Sequence, residues 1–155
     1  MTQGYDTEEQ KERVILIAVD LEDGSSVEES LDELQELAET AGAETVGRLI
    51  QKRDRFHPGT YIGKGKIDEL IQMIAMTDAD CVVSDDELSP AQITNLQDAL
   101  QVKVIDRTVM ILDIFADHAS TSEGKMQVEL AQLRYRSSRL VGLHSSLSRL
   151  GGGIG

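Results

Sequence analysis

The sequence has no tryptophan and few other aromatics, three tyrosines and two phenylalanines. A core built from it must be mainly aliphatic. There is one cysteine, Cys81, which excludes an internal disulfide framework. No apolar run approaches the ~20 residues of a membrane-spanning helix. The first ten residues, MTQGYDTEEQ, are polar and acidic, the opposite of a secretory leader. Together these absences favour the cytosol. What remains is ordinary for a globular chain: 155 residues with 40% hydrophobic content, enough for one domain with a real core.

Positive charge is also scarce, with 15 basic against 28 acidic residues and a net charge of −13. That total argues against a nucleic-acid partner until its distribution is read. Residues 1–47 carry a net −12, residues 48–66 a net +5, residues 67–106 a net −8, and residues 107–155 a net +2. An acidic body with a basic band can bind a polyanion locally while the body steers its orientation. The band consists of Arg48, Lys52, Arg53, Arg55, Lys64 and Lys66.

Periodicity predicts alternating strands and helices. VILIAVD, Val14 to Asp20, is a short apolar run rich in β-branched residues, as in a strand buried on both faces. Ser25 with Glu28 reads as a capping box. Leu31, Leu34, Leu37, Ala38 and Ala41 follow at helical spacing, and Gly42 ends that helix. Further strands are expected at about 45–50, 81–83 and 102–105, and further helices at about 64–76 and 90–100. Ser89-Pro90-Ala91-Gln92 supplies an N-cap, an N1 proline and an N3 glutamine. This alternation implies a small parallel α/β sheet of about four strands with flanking helices and right-handed crossovers.

After Asp106 no further strand pattern appears. RTVMILDIFADHA reads as a helix, STSEGK as a polar turn, and MQVELAQLRYRSSRLVGLHSSLSRL as a long helix. Met126, Leu130, Leu133, Leu140 and Leu147 form a seam of three- and four-residue steps, with Ser137 and His144 as its polar members. Such a seam indicates packing along another helix. The expectation is a long antiparallel αα-hairpin with its tip at Ser120-Thr121-Ser122-Glu123-Gly124-Lys125. The expected organisation is an α/β part over residues 1–106, the hairpin over 107–150, and a glycine joint over 151–155. A glycine run is a flexible connection, which suggests a further domain beyond Gly155.

HPGTYIGKGKIDEL, His57 to Leu70, looks like a phosphate loop but fails the pattern G-x-x-x-x-G-K-[ST]. Aligned on Gly63-Lys64, it has Pro58 where the first glycine belongs and Gly65 where the metal-binding hydroxyl belongs. No other segment fits, so this chain alone should not hydrolyse a nucleoside triphosphate. Lys64 and Lys66, at the start of a predicted helix, suit either an RNA or nucleotide phosphate or simple solvation. Phe56 and Tyr61 suit base stacking or the core. Arg136 and Arg139 share a face of the last helix and suit RNA backbone contact or a solvated face.

Asp20, Asp85 and Asp106, with Asp86 and Glu87 beside Asp85, fall at predicted strand C-termini, the ligand edge of open α/β sheets. They allow a magnesium-dependent nucleotide-binding or phosphotransfer domain. The other reading of these acids is turn and capping carboxylates. His57, His118 and His144 show no metal-ligand spacing. Nothing marks a catalytic group. A protein-interaction scaffold using the acidic first helix is a third possibility.

The pieces YIGKGKIDEL, DDELSPAQITNLQDAL, VKVIDRTVMILDIFADHA, EGKMQVELAQLRY and SRLGGGIG resemble the N-terminal region of the HflX family of ribosome-associated GTPases. The resemblance covers about Arg48 to Gly155 strongly, and the first strand and helix by pattern. It implies an α/β subdomain and a helical hairpin directed at rRNA of the large ribosomal subunit. It also implies a parent protein that separates stalled ribosomes. GTP and magnesium would then belong to a GTPase domain in cis beyond this sequence, with no cofactor in this chain. Where family members often carry a basic residue, this sequence has Asp117-His118-Ala119-Ser120.

Overall fold

The structure, a computed structural model, describes residues 11–118 and 122–150, with side chains at 11–116 and 123–137. The elements are β1 (Glu12–Asp20), α1 (Val27–Thr40), β2 (Ala43–Lys52), α2 (Lys64–Thr77), β3 (Cys81–Ser84), α3 (Pro90–Leu100), β4 (Lys103–Asp106), α4 (Arg107–His118) and α5 (Ser122–Leu150). The four strands form one parallel sheet in the order β2-β1-β3-β4. The chain therefore winds outward from β1 in one direction and then crosses to the other side, a switch point between β1 and β3.

β1 is the centre of the sheet, and its run Val14 to Val19 is buried throughout. Side chains alternate across a strand, so one run serves two cores. Ile15, Ile17 and Val19 pack with Leu70, Leu96, Leu100 and Val82. Val14, Leu16 and Ala18 pack with Leu31, Leu34, Ala38, Met110 and Ile114. The first core lies under α2 and α3, the second under α1 and α4. Full burial of a leucine such as Leu31 or Leu34 contributes about 1.5–3 kcal/mol. Cys81 belongs to the second core, and burial pushes its thiol up to about 12. At a bulge in β2, Gly47 leaves room for α2: a Cβ there would come within 2.9 Å of the Met73 methyl carbon.

Several local expectations meet the structure closely. The Ser89 capping box is complete, with Gln92 N donating to Ser89 Oγ at 3.1 Å and Ser89 N donating to Gln92 Oε1 at 2.9 Å. Gly42, at φ +91°, follows the end of α1. The first cap, however, is Ser26 rather than Ser25. Glu29 N donates to Ser26 Oγ at 3.2 Å, while Ser25 turns back to Asp23. The true N3 residue is thus Glu29, one position later than the pattern suggested.

The C-terminal helices depart further from expectation. α4 has 12 residues and α5 has 29, so α5 is far longer than the helix it would pair with. Glu123, Gly124 and Lys125 lie in the first turn of α5, not in a polar turn. The acidic Glu123 there complements the helix dipole. Ser120, Thr121 and the glycine joint lie outside the described residues. The described members of the seam are turned outward: Met126 is 65% exposed, Leu130 43% and Leu133 61%. The half-buried stripe of α5 is Val128, Ala131, Gln132 and Tyr135. Its polar members decide the facing. Gln132 Nε2 donates to Asp113 Oδ1 at 2.7 Å, and Tyr135 Oη donates to Asp106 Oδ2 at 2.5 Å. Leu140, His144 and Leu147 have side chains outside the described residues.

The cap assignment has a direct test in urea unfolding midpoints. Ser26→Ala is expected to lower stability by about 1 kcal/mol. Ser25→Ala is expected to change it by less than about 0.5 kcal/mol. Equal losses contradict the assignment.

Candidate nucleic-acid interface

Between β2 and α2 the chain makes a tight loop, residues 53–63, built on a short antiparallel bridge between His57 and Tyr61. His57 Nδ1 accepts from Gly59 N at 3.0 Å and Thr60 N at 3.2 Å. Two residues of α3 hold the loop from outside. Gln92 Nε2 donates to the His57 carbonyl and Asn95 Nδ2 to the Gly59 carbonyl, both at 2.9 Å.

Tyr61 is the loop's buried anchor. It is fully enclosed, yet its φ is +68°. A non-glycine residue in that region costs about 1–3 kcal/mol and persists only where its surroundings hold it. The hold here is the phenol, whose oxygen accepts from Val19 N at 3.1 Å and donates to Asp86 Oδ2. Burial, reinforced by Asp86, pushes the phenol well above its ordinary range. Phe56 packs on the ring at a centroid distance of 5.1 Å. The suggestion that Tyr61 stacks on a base is therefore corrected, because its ring belongs to the core.

The loop delivers the chain to the start of α2 at Gly63, which has no side-chain cap. Gly63 N donates to Gln51 Oε1 at 2.7 Å. A Cβ at Gly63 would lie 2.9 Å from Arg53 Nη1 and 3.1 Å from Gln51 Nε2, so both groups sit over the helix start. Arg53 is braced there, its Nε donating to the Arg55 carbonyl at 3.0 Å. Lys64 is exposed and has no ion-pair partner among the described residues, while Lys66 pairs with Glu69 at 3.0 Å. The uncapped helix start, the positive end of its dipole and the Arg53 guanidinium thus lie together, and the helix opens with the exposed Lys64. Such a place favours an anion.

The structure divides the linear basic band. Past the bulge in β2, from Gly47 on, even-numbered side chains face α1 and odd-numbered ones face α2. Arg48 accordingly pairs with Asp32 at 2.8 Å and Glu28 at 3.5 Å and donates to Gln35. That places it on the α1 side of the sheet, opposite the start of α2. Lys52 and Arg55 are exposed at the strand end and in the loop. Arg136 pairs with Asp113 at 3.1 Å on the α4 side of α5. The side chain of Arg139 lies outside the described residues. Gln51, Gln92 and Asn95 were missed by sequence reasoning because no local pattern marks a glutamine or asparagine as a loop brace.

The strand-end acids are engaged by the protein itself. Asp20 Oδ1 accepts from Glu22 N at 2.8 Å. Asp85 accepts from Ser30 Oγ at 2.7 Å and pairs with Arg107 at 2.5 Å. Asp106, fully buried, accepts from Leu88 N at 3.0 Å, Val109 N at 3.2 Å and the Tyr135 hydroxyl. Among the described residues no group of three or more His, Cys, Asp or Glu could hold a metal ion. The cleft at the switch point, between Val19, Ser26, Ser30, Asp85, Asp86 and Phe56, has about 170 Å³. Small-molecule pockets commonly run from about 300 Å³ upward. No helix among the described residues is long and apolar enough to cross a membrane.

Comparison with known proteins adds the following. Residues 28–116 match the family described as GTP-binding GTPase N-terminal, and residues 118–155 match the GTP-binding GTPase middle region. The first match thus spans α1 to α4 and the second contains α5. A GTPase HflX of Lacrimispora saccharolytica is 63% identical over all 155 residues, which cover 37% of that protein. The GTPase HflX of Escherichia coli is 40% identical over 151 residues, 97% of this chain and 35% of that one. The chain therefore spans about a third of the length of these relatives. A GTP-binding protein of Sulfolobus solfataricus solved in complex with GDP superposes with a TM-score of 0.64 at 24% identity, over 86% of this chain and 40% of that one. That likeness is one of fold.

Burial raises the Asp86 carboxyl above its ordinary range. The Tyr61 hydrogen bond opposes the shift, Asp85 adds to it, and Arg107 opposes it. The folded protein therefore takes up this proton before the unfolded chain does. By linkage, Asp86 makes stability rise as pH falls through the raised value toward the ordinary carboxylate range. Measured against Asp86→Asn across that window, the wild type is expected to gain relative stability as the solution is acidified. A difference that stays flat contradicts the burial argument.

Proposed function

The chain belongs to the HflX family of GTP-binding proteins, and from its match to their N-terminal portion we propose that it is the part of such a protein that grips rRNA of the large ribosomal subunit. The observation that carries this reading is the uncapped start of α2, with Arg53 lying over Gly63 and the exposed Lys64 as the first residue of the helix. An acidic chain of net charge −13 repels a polyanion everywhere except at such a place. Phosphate contacts of this kind position a protein on RNA without reading its sequence. Lys52, Arg55 and Lys66 extend the surface, and Arg136 with Arg139 offers a second one on α5.

The helical part, residues 107–150, is proposed as the probe, rooted in the α/β part, residues 1–106, by Met110 and Ile114. Its support is the direction of α5. Gln132 meets Asp113, and Tyr135, three residues later, meets Asp106, seven residues earlier, so α5 returns along α4. In this reading residues 120–125 lie at the end aimed at rRNA. Residues 151–155 join the whole to a GTPase domain in cis that holds GTP and magnesium. Nucleotide state would set the placement of the probe, and separation of stalled ribosomes in the cytoplasm is the activity it serves.

Co-sedimentation with purified large ribosomal subunits tests this reading. The wild-type chain should pellet with the subunits and lose affinity steeply as salt rises. Lys64→Glu with Lys66→Glu should bind weakly, and neutral replacements should reduce the salt slope by about 1 per lysine. Removing residues 120–125, with helix content checked by circular dichroism, should abolish pelleting. Binding that ignores salt and both lysines overturns the proposal.

A further inference from the structure

Tyr61 never touches solvent, yet it decides where the candidate cradle stands. The loop it anchors carries Arg53 and Arg55 at one end and the Gly63 cap at the other. Arg53 is held over Gly63 by a bond to a carbonyl of that same loop, at Arg55. Its internal bonds, centred on the His57–Tyr61 bridge and on His57 Nδ1, shape the loop but do not fix where it stands. It is fastened to the rest of the molecule through Arg53 N on the Asp20 carbonyl, the Tyr61 hydroxyl on Val19 N and Asp86, the Gln92 and Asn95 amides on two of its carbonyls, and Gln51 on Gly63 N. A left-handed tyrosine does not choose this conformation by itself.

Resting on the phosphate-binding reading above, we infer that Tyr61 and Asn95 are positioning residues for the anion cradle: by fastening the 53–63 loop to β1, to Asp86 just past β3 and to α3, they steady the part of the chain that carries Arg53 over the start of α2 before any ligand arrives. The consequence is preorganisation. A cradle assembled beforehand loses little conformational freedom on binding, whereas a loosened one must be ordered at that moment. Neither residue contacts the anion, so neither changes the number of phosphates engaged. Their loss should weaken affinity at every salt concentration by the same factor. Loss of Lys64 should instead flatten the salt dependence itself.

The probe is a fluorescent poly(U) RNA, titrated by anisotropy over a range of salt, with purified large subunits as a second ligand. Tyr61→Phe keeps the ring and removes the hydroxyl. Asn95→Ala acts from the surface of α3, without disturbing the core. Each is expected to weaken binding about fivefold, the size of one lost hydrogen bond, with an unchanged salt slope. Combined with Arg53→Gln, either substitution should cost almost nothing further, because the group it positions is gone. Equal losses with and without Arg53 show a general loosening of the fold and overturn the inference. So does wild-type affinity in both single variants, and in that case the phosphate-binding reading stands. If the wild type itself binds neither ligand in a salt-dependent way, the reading fails and the inference falls with it.

Discussion

Asp106 is fully enclosed at the end of β4, and the surrounding chain is arranged to satisfy it. Its two oxygens take the amide of Leu88, just before the α3 cap, the amide of Val109 in the first turn of α4, and the hydroxyl of Tyr135 on α5. One carboxylate therefore fixes the entry to two helices and the docking of a third. A buried acid left without such partners costs several kcal/mol, so the three elements cannot move independently of it. The sheet, the layer of α1 and α4, and the placement of α5 all meet at this residue.

The same edge bears on the proposed contact role. In open α/β sheets the carboxyl ends of the strands at the switch point commonly receive a ligand. Here Asp85 is taken by Arg107 and Ser30, Asp86 by Tyr61, and Asp106 by the three groups above. The edge serves as an anchoring line for what lies beyond it: the basic loop on β3 and the long helix on β4. The chemistry left open to a partner sits at the loop's far end, where Arg53 overhangs the start of α2. The described part of α5 adds a second open feature, the row of Met126, Leu130 and Leu133.

The residues themselves show how much was legible beforehand. The alternation of β-branched runs and leucine-spaced segments announced four parallel strands and their helices, because burial on two faces leaves a continuous apolar run and burial on one leaves a stripe. The Ser89 cap was legible because its partners are three residues apart. Ser26 was misplaced by one, since two adjacent serines fit the same pattern and only the turn of Ser25 toward Asp23 separates them. Arg48 was grouped with Arg53 because both lie in one basic stretch. Strand alternation sends the first to the acids of α1 and the second to the start of α2. Of the leucine seam expected on α5, the described members Met126, Leu130 and Leu133 lie exposed. Gln132 and Tyr135, with hydrogen-bond partners in Asp113 and Asp106, turned a different face inward.

By itself the sequence determined the local order of elements, their caps to within a residue, and the confinement of positive charge to a short stretch and the tail. These follow from periodicity and near-neighbour hydrogen bonds, which operate over a few positions along the chain. Only the tertiary structure decided the strand order, which acids became anchors, which cations stayed free, and which face of α5 met the sheet. Those outcomes depend on groups such as Tyr61 and Asp86, or Tyr135 and Asp106, that are distant in sequence. They come together because a buried polar atom must find a partner wherever the fold can supply one.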